Sequence, residues 1–172
     1  MWYNIEKQPR TLLTEKIILA GSGAFCALLS RFFIEFYSRE KYMRRAQERE
    51  QAFKLVFESM FSGFDLQQAA EAYEENGEAL SEYAKEIYNG VCEHKEELDS
   101  IVARYSNGWK PSRLPKVNLS ILRVALYEML YRDDIPESVS VNEAVELAKT
   151  FSGKEDSAFI NGILGSFSRG EK

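Results

Sequence analysis

A single histidine, His94, serves all 172 residues, and cysteine occurs only at Cys26 and Cys92. One imidazole cannot build a histidine-based metal cluster, and no serine or cysteine stands in a recognisable nucleophile setting with a base. The two cysteines show no paired spacing, so the chain reads as a reduced, cytoplasmic protein and not a disulfide-stapled one. Alternating apolar and polar residues, the mark of a half-buried strand, are missing at any useful length. No internal repeat or low-complexity tract occurs. Gly21-Ser-Gly23 lacks the spacing of a phosphate loop and follows no strand, so tight packing or a bent helix explains it as well. An excess of positive charge is absent too: 27 acidic against 22 basic residues leave a net charge of −5. That balance argues against indiscriminate coating of nucleic acid but leaves room for a local basic patch. Metal, cofactor and catalysis are therefore not expected.

Helical periodicity fills nearly all the rest. Phe53, Val56, Phe57, Met60 and Phe61 follow i, i+3, i+4, i+7, i+8, one apolar stripe that Gly63 closes. Asp65 is placed as the N-cap of a second helix carrying Leu66, Ala69, Ala70 and Tyr73. After Asn76-Gly77 come Leu80, Tyr83, Ala84, Ile87, Tyr88 and Val91, then Leu98, Ile101, Val102 and Tyr105. Asn107-Gly108, Pro111 and Pro115 break the chain and mark a boundary between two lobes. From Val117 to Tyr131 the apolar residues run almost all round, which places this helix at the centre. Arg123 and Glu128 are its exceptions, and there they should be paired or reach a lobe surface. Ser140-Val-Asn-Glu143 has capping-box spacing and predicts a helix start, with Val141, Ala144, Val145 and Ala148 buried. The last helix is expected near Glu155-Asp156-Ser157, with Phe159, Ile163 and Leu164 as its apolar contacts.

Residues 1–42 differ. Their longest apolar run, Ile17–Leu29, is about a dozen residues, against the ~20 a membrane-spanning helix needs. Lys7, Arg10 and Lys16 resemble the basic flank of a signal peptide, but no small-residue cleavage site follows. The favoured expectation is an extension upstream of a true start at Met43, with 43–172 as the functional domain and no membrane partner. A membrane-tethered interaction protein anchored by 1–42 is the alternative.

Three strings in order, LRVALYEML, SVNEAVELAKTF and EDSAFINGILG, carry a resemblance. From Met43 onward the chain closely resembles the NusB family of transcription antitermination factors. The resemblance implies an all-α fold of two small helical bundles packed side by side. It implies binding of single-stranded boxA RNA together with the small-subunit ribosomal protein that acts as Nus factor E. Through that complex the RNA polymerase elongation complex would be engaged indirectly and read through terminators, notably in ribosomal RNA operons. Relatives vary in forming a homodimer that hides the RNA face, and that question stays open here. NusB-like domains also begin some RNA cytosine methyltransferases. That reading would need a dinucleotide-binding βαβ region and a catalytic cysteine downstream, and no such pattern is present.

The residues can be set beside these implications. Arg44, Arg45 and Arg49, with Lys54 further along the same helix, are expected RNA contacts, since guanidinium forks suit phosphates. The rival is a solvated polar face opposite Phe53 and Val56, with Glu48 and Glu50 interleaved and Glu48 set to pair with Arg44. Phe159 shares a stripe with Ile163 and on spacing alone belongs to the core. By resemblance it lies at the RNA surface, where aromatic rings stack on bases. Glu155 matches an acidic position that tunes affinity at that surface. Phe57 stands where some relatives carry tyrosine, and so keeps the ring without the hydroxyl. Asn118 stands where some relatives have a glutamate implicated in contacting the ribosomal protein.

Overall fold

Two of the described helix starts are set by side-chain caps that the local sequence supplies. A computed structural model of the chain describes residues 44–106 and 108–170. The chain divides into two compact units, Met1–Arg45 and Ala46–Lys172. Of the first, only Arg44 and Arg45 are described, and both are helical. The expectations for 1–42, including the anchor alternative at Ile17–Leu29, and for a start at Met43 lie outside the described residues.

The second unit opens on α1, helical from 46 to 58. It continues with α2 (Leu66–Glu75), α3 (Glu82–Glu93), α4 (Lys95–Tyr105), a 3-10 turn (Pro111–Arg113), α5 (Lys116–Tyr131), α6 (Glu137–Phe151) and α7 (Lys154–Ser168). Among the described residues there is no strand, so the fold is all-α. Asp65 caps α2 as expected, its carboxylate accepting from the amides of Gln67 and Gln68 at 2.8 and 3.0 Å. Ser81 caps α3 through Ala84 N at 3.1 Å. Gln51 of α1 clamps the preceding link, accepting from Ser81 N and donating to Ala79 O.

α5 is the shared wall. Ten of its residues, Asn118 to Leu126 with Glu128, are buried, and α3, α4, α6 and α7 all pack against it. The helices on the two sides of residues 107–115 therefore close on one common element. Leu55, Ile87, Leu98, Ile121, Leu122, Leu126, Ile160 and Leu164 are the large, fully buried apolar side chains. Truncating any of them to alanine costs about 2–5 kcal/mol in comparable cores. Gly90 lets α3 approach α5: a Cβ there would fall 2.1 Å from Cζ of Tyr127.

Two expected boundaries move. α1 ends at 58, and Ser59 to Gly63 form the turn, leaving Phe61 49% exposed instead of on a buried stripe. α6 begins at Glu137, directly after Pro136 and a full turn before Ser140. Ser140 is thus inside the helix. Its hydroxyl donates to Glu128 Oε2 at 2.7 Å, so the expected capping box does not form.

Candidate nucleic-acid interface

The largest departure from the sequence expectation is Arg49. On a helix, Arg49, Ala52, Phe53 and Val56 occupy one face at i, i+3, i+4, i+7, and that face is buried: Arg49 is only 3% exposed. Its Nε donates to Glu128 Oε1 at 2.7 Å and its Nη1 to Glu143 Oε2 at 3.1 Å. Tyr83 also donates its hydroxyl to Glu128. Glu128, fully buried, thus accepts from three elements besides its own and is charge-neutralised by Arg49. Burial, the largest influence on Arg49, disfavours its charge, yet Glu128, Tyr83 and Glu143 together hold its pKa above the ordinary arginine value. Its Nη2 is buried without a hydrogen-bond partner among the described residues. At 3% exposure the guanidinium presents almost no surface to a phosphate, so the structure gives Arg49 the place of a structural cation where the sequence suggested an RNA contact. The apolar stripe of α1, extended one turn backward, carried the signal. Arg123 meets its expectation in a similar way, with two bonds to Asp99 at 2.8 Å each.

Further along the same edge of α1, past Phe53, lies a different surface. Phe57, half-buried, lies between Phe53 at 6.1 Å and Phe61 at 5.2 Å, centroid to centroid. Phe53 in turn meets Phe151, the last residue of α6, at 4.9 Å. Phe61 and Phe151 are the exposed ends of this four-ring array. A lysine sits at each end: Lys116 Nζ lies 3.7 Å from the Phe61 centroid and Lys54 Nζ 6.0 Å from that of Phe151. Such cation–π contacts orient the ammonium groups while leaving them wet. Lys54 also pairs with Glu50 at 2.7 Å, and that hydrogen bond raises its pKa. Sequence reasoning named Lys54 and Phe57 but missed Phe61, Phe151 and Lys116. Their only signal was an aromatic just past each helix's buried stripe.

Glu155 and Phe159 lie one turn apart on α7, Glu155 exposed and Phe159 half-buried. Phe159 packs against the core on one side but is only half-buried, so the core reading from its spacing is met in part. The start of α7 is fixed by a small, partly buried network. Asn118 donates to Asp156 at 2.8 Å, and Ser152 donates to both Asn118 Oδ1 and Asp156. Asn118 is 1% exposed, and its side chain is engaged by Asp156 and Ser152 at the start of α7, so the structure gives it a structural place at this helix start. Asp156 spends its carboxylate on this network, whereas Glu155 remains at the surface. Arg44 is exposed and Arg45 half-buried, both within the first unit.

Elsewhere the described residues offer little chemistry. They hold no cluster of His, Cys, Asp and Glu able to bind a metal ion, and no helix long and apolar enough to cross a membrane. His94 sits between α3 and α4, tilted against Tyr131 at 4.2 Å between ring centroids and 3.3 Å from Glu97. Cys92 is exposed and free.

Comparison with known proteins agrees with this architecture. The model of the NusB family matches residues 46–169. The transcription antitermination protein NusB of Acetivibrio thermocellus is 46% identical over 127 residues, which cover 72% of this chain and 87% of the relative. Among solved structures, NusB of T. maritima superposes with a TM-score of 0.64 at 32% identity, covering 74% of this chain and 92% of that one. A crystal structure of antitermination factors NusB and NusE in complex with dsRNA shares the fold, with a TM-score of 0.65 at 24% identity over 73% of this chain and 96% of that one. With the family model matched over residues 46–169 and a relative 46% identical over 127 residues, the chain belongs to the NusB family of transcription antitermination factors.

Proposed function

We propose that this protein binds boxA RNA as a single strand, jointly with the small-subunit ribosomal protein acting as Nus factor E. It would so promote read-through by RNA polymerase, notably in ribosomal RNA operons. Membership of the NusB family carries this reading. A structure of the same fold containing NusB, NusE and dsRNA supports RNA and that protein as partners. The protein works by binding and not by catalysis, and in the cytoplasm.

Arg44, Arg45 and Lys54 are the proposed phosphate contacts, Phe57 and Phe159 the proposed stacking surfaces, and Glu155 the acidic group that limits affinity. Each phosphate neutralised on a single strand adds a salt slope of about 0.7, and each stacked base about 1–3 kcal/mol. Binding of RNA and ribosomal protein is mutually favourable when each completes part of the other's surface.

The test is a titration of labelled boxA-like RNA with the full chain, with and without the ribosomal partner, at two salt concentrations and against scrambled RNA. Preference for boxA, strengthened by the partner and weakened about tenfold by Arg45→Glu or Phe159→Asp with helicity unchanged, is expected. Binding indifferent to both sequence and partner would overturn the proposal.

A further inference from the structure

Between Asp99 and Glu128 the chain contains no acidic residue, although its net charge is −5. Five cations fall in that stretch. Arg123 is consumed by Asp99 and Lys116 lies over Phe61. The other three, Arg104, Lys110 and Arg113, are exposed and have no ion-pair partner among the described residues. In their midst stands Trp109, 56% exposed, the most open of the large hydrophobic residues described. An indole left in water forfeits burial worth a few kcal/mol, and such exposure commonly marks a contact surface.

The corner that presents these groups is well tied. Ser106 is buried, and its hydroxyl donates to Trp109 O at 2.6 Å while Trp109 N donates back to Ser106 O at 3.2 Å. Gly108, at φ +89, makes the turn between them. Pro111 opens the 3-10 turn, closed by Arg113 N to Lys110 O at 2.9 Å, and Leu114 anchors it in the core. The 3-10 turn packs back on α4, whose last turn carries Arg104. Arg104 alone would be an ordinary complement to the helix dipole. Lys110, Arg113 and Trp109 have no such local use.

We propose that Trp109, with Arg104, Lys110 and Arg113, forms a second contact surface for single-stranded RNA, separate from the α1 and α7 residues discussed above. One base stacks on the indole and the three cations follow the phosphates on either side. The ligand class rests on the RNA-binding reading, while the surface rests on the four residues themselves. An acidic peptide would satisfy the cations, but the flat π-face of an exposed indole favours a nucleobase.

Full-length protein carrying Trp2→Phe leaves Trp109 as the only tryptophan. Titrating it with a labelled RNA that holds a boxA-like element and single-stranded flanks reads Trp109 emission and RNA anisotropy together. Saturable quenching in step with the anisotropy is expected. Reversal of Arg104, Lys110 and Arg113 to glutamate should lower affinity about fivefold or more and the log–log salt slope by about 2. Trp109→Ala should weaken binding where Trp109→Phe does not. Anisotropy that rises with Trp109 emission unchanged, and with charge reversal silent, would overturn this surface and leave the antitermination reading intact. Quenching that is no greater for the boxA-like RNA than for oligouridylate would support the surface while telling against the boxA reading. Quenching by polyglutamate but not by RNA would overturn the proposal in favour of an acidic protein partner.

Discussion

Arg49 donates to Glu128 across 79 residues of sequence, Nε to Oε1 at 2.7 Å, with both side chains at most 3% exposed. This pair ties α1 to the central helix, and Glu143 and Ser140 bring in α6. Removing one partner of such a pair leaves the other charge buried, which costs about 3–5 kcal/mol. Arg49→Ala and Glu128→Ala should each lower stability by about that amount. The double variant should lose clearly less than the sum. Urea midpoints of the four proteins measure the coupling, and additive losses would refute it. RNA binding of Arg49→Ala, compared at matched folded fraction, should be unchanged.

Gly90 and Tyr127 make a second test with a change of sign. In the native background Gly90→Ala drives a methyl into the tyrosine ring, and overpacking of this kind costs about 1–3 kcal/mol. In a Tyr127→Ala background the clash is gone, and alanine should stabilise α3 by up to about 1 kcal/mol through helix propensity. Thermal midpoints that fall in both backgrounds would show that the close approach is not what requires glycine.

α2 holds no buried residue, in contrast to α5. Its Leu66, Ala69, Ala70 and Tyr73 only lean on the core. Local opening free energies scale with such burial. Amides of α2 should exchange with deuterium orders of magnitude faster than those of α5. Asp65→Ala, which removes the cap, should cost about 1 kcal/mol locally and speed α2 exchange further. Equal protection of the two helices would contradict this account.

Tyr131 donates its hydroxyl to Glu97 at 2.6 Å. That hydrogen bond, with a smaller share from His94, holds the Glu97 carboxyl below its ordinary 4.5. It also pushes the Tyr131 phenol up to about 12. A depressed acid stabilises the fold above its unfolded pKa, and the contribution fades as pH falls through the folded value. A raised phenol does the reverse: its contribution is present below about 10 and is lost as pH rises toward about 12. Tyr131→Phe should return Glu97 toward 4.5 in a carboxyl NMR titration. No movement of the Glu97 titration would show that the phenol is not its main partner.

Periodicity alone made α3, α4 and α5 legible, because Leu80 to Val91, Leu98 to Tyr105 and Val117 to Tyr131 each bury a face that repeats within a few residues. The Asp65 cap was legible for the same reason: donor and acceptor lie two and three residues apart. The Ser140-Glu143 capping box failed because both side chains had stronger claims elsewhere. Glu128 and Arg49 are buried, where a charge left without its partner costs more than a cap contributes.

The candidate interface divides along the same line. Sequence by itself determined an all-helical chain with a central apolar helix, and its long motifs were enough to indicate the family. Those signals are local or additive, and need no knowledge of which helix meets which. Tertiary structure alone decided that Arg49 and Asn118 turn inward while Phe61, Phe151 and Trp109 stay at the surface. A side chain's exposure depends on what packs across from it, and the partners of Arg49 lie 79 and 94 residues away. An arginine one turn before a buried phenylalanine is cationic in either setting. Only the carboxylates waiting in the interior made it a structural cation and not a hand held out to RNA.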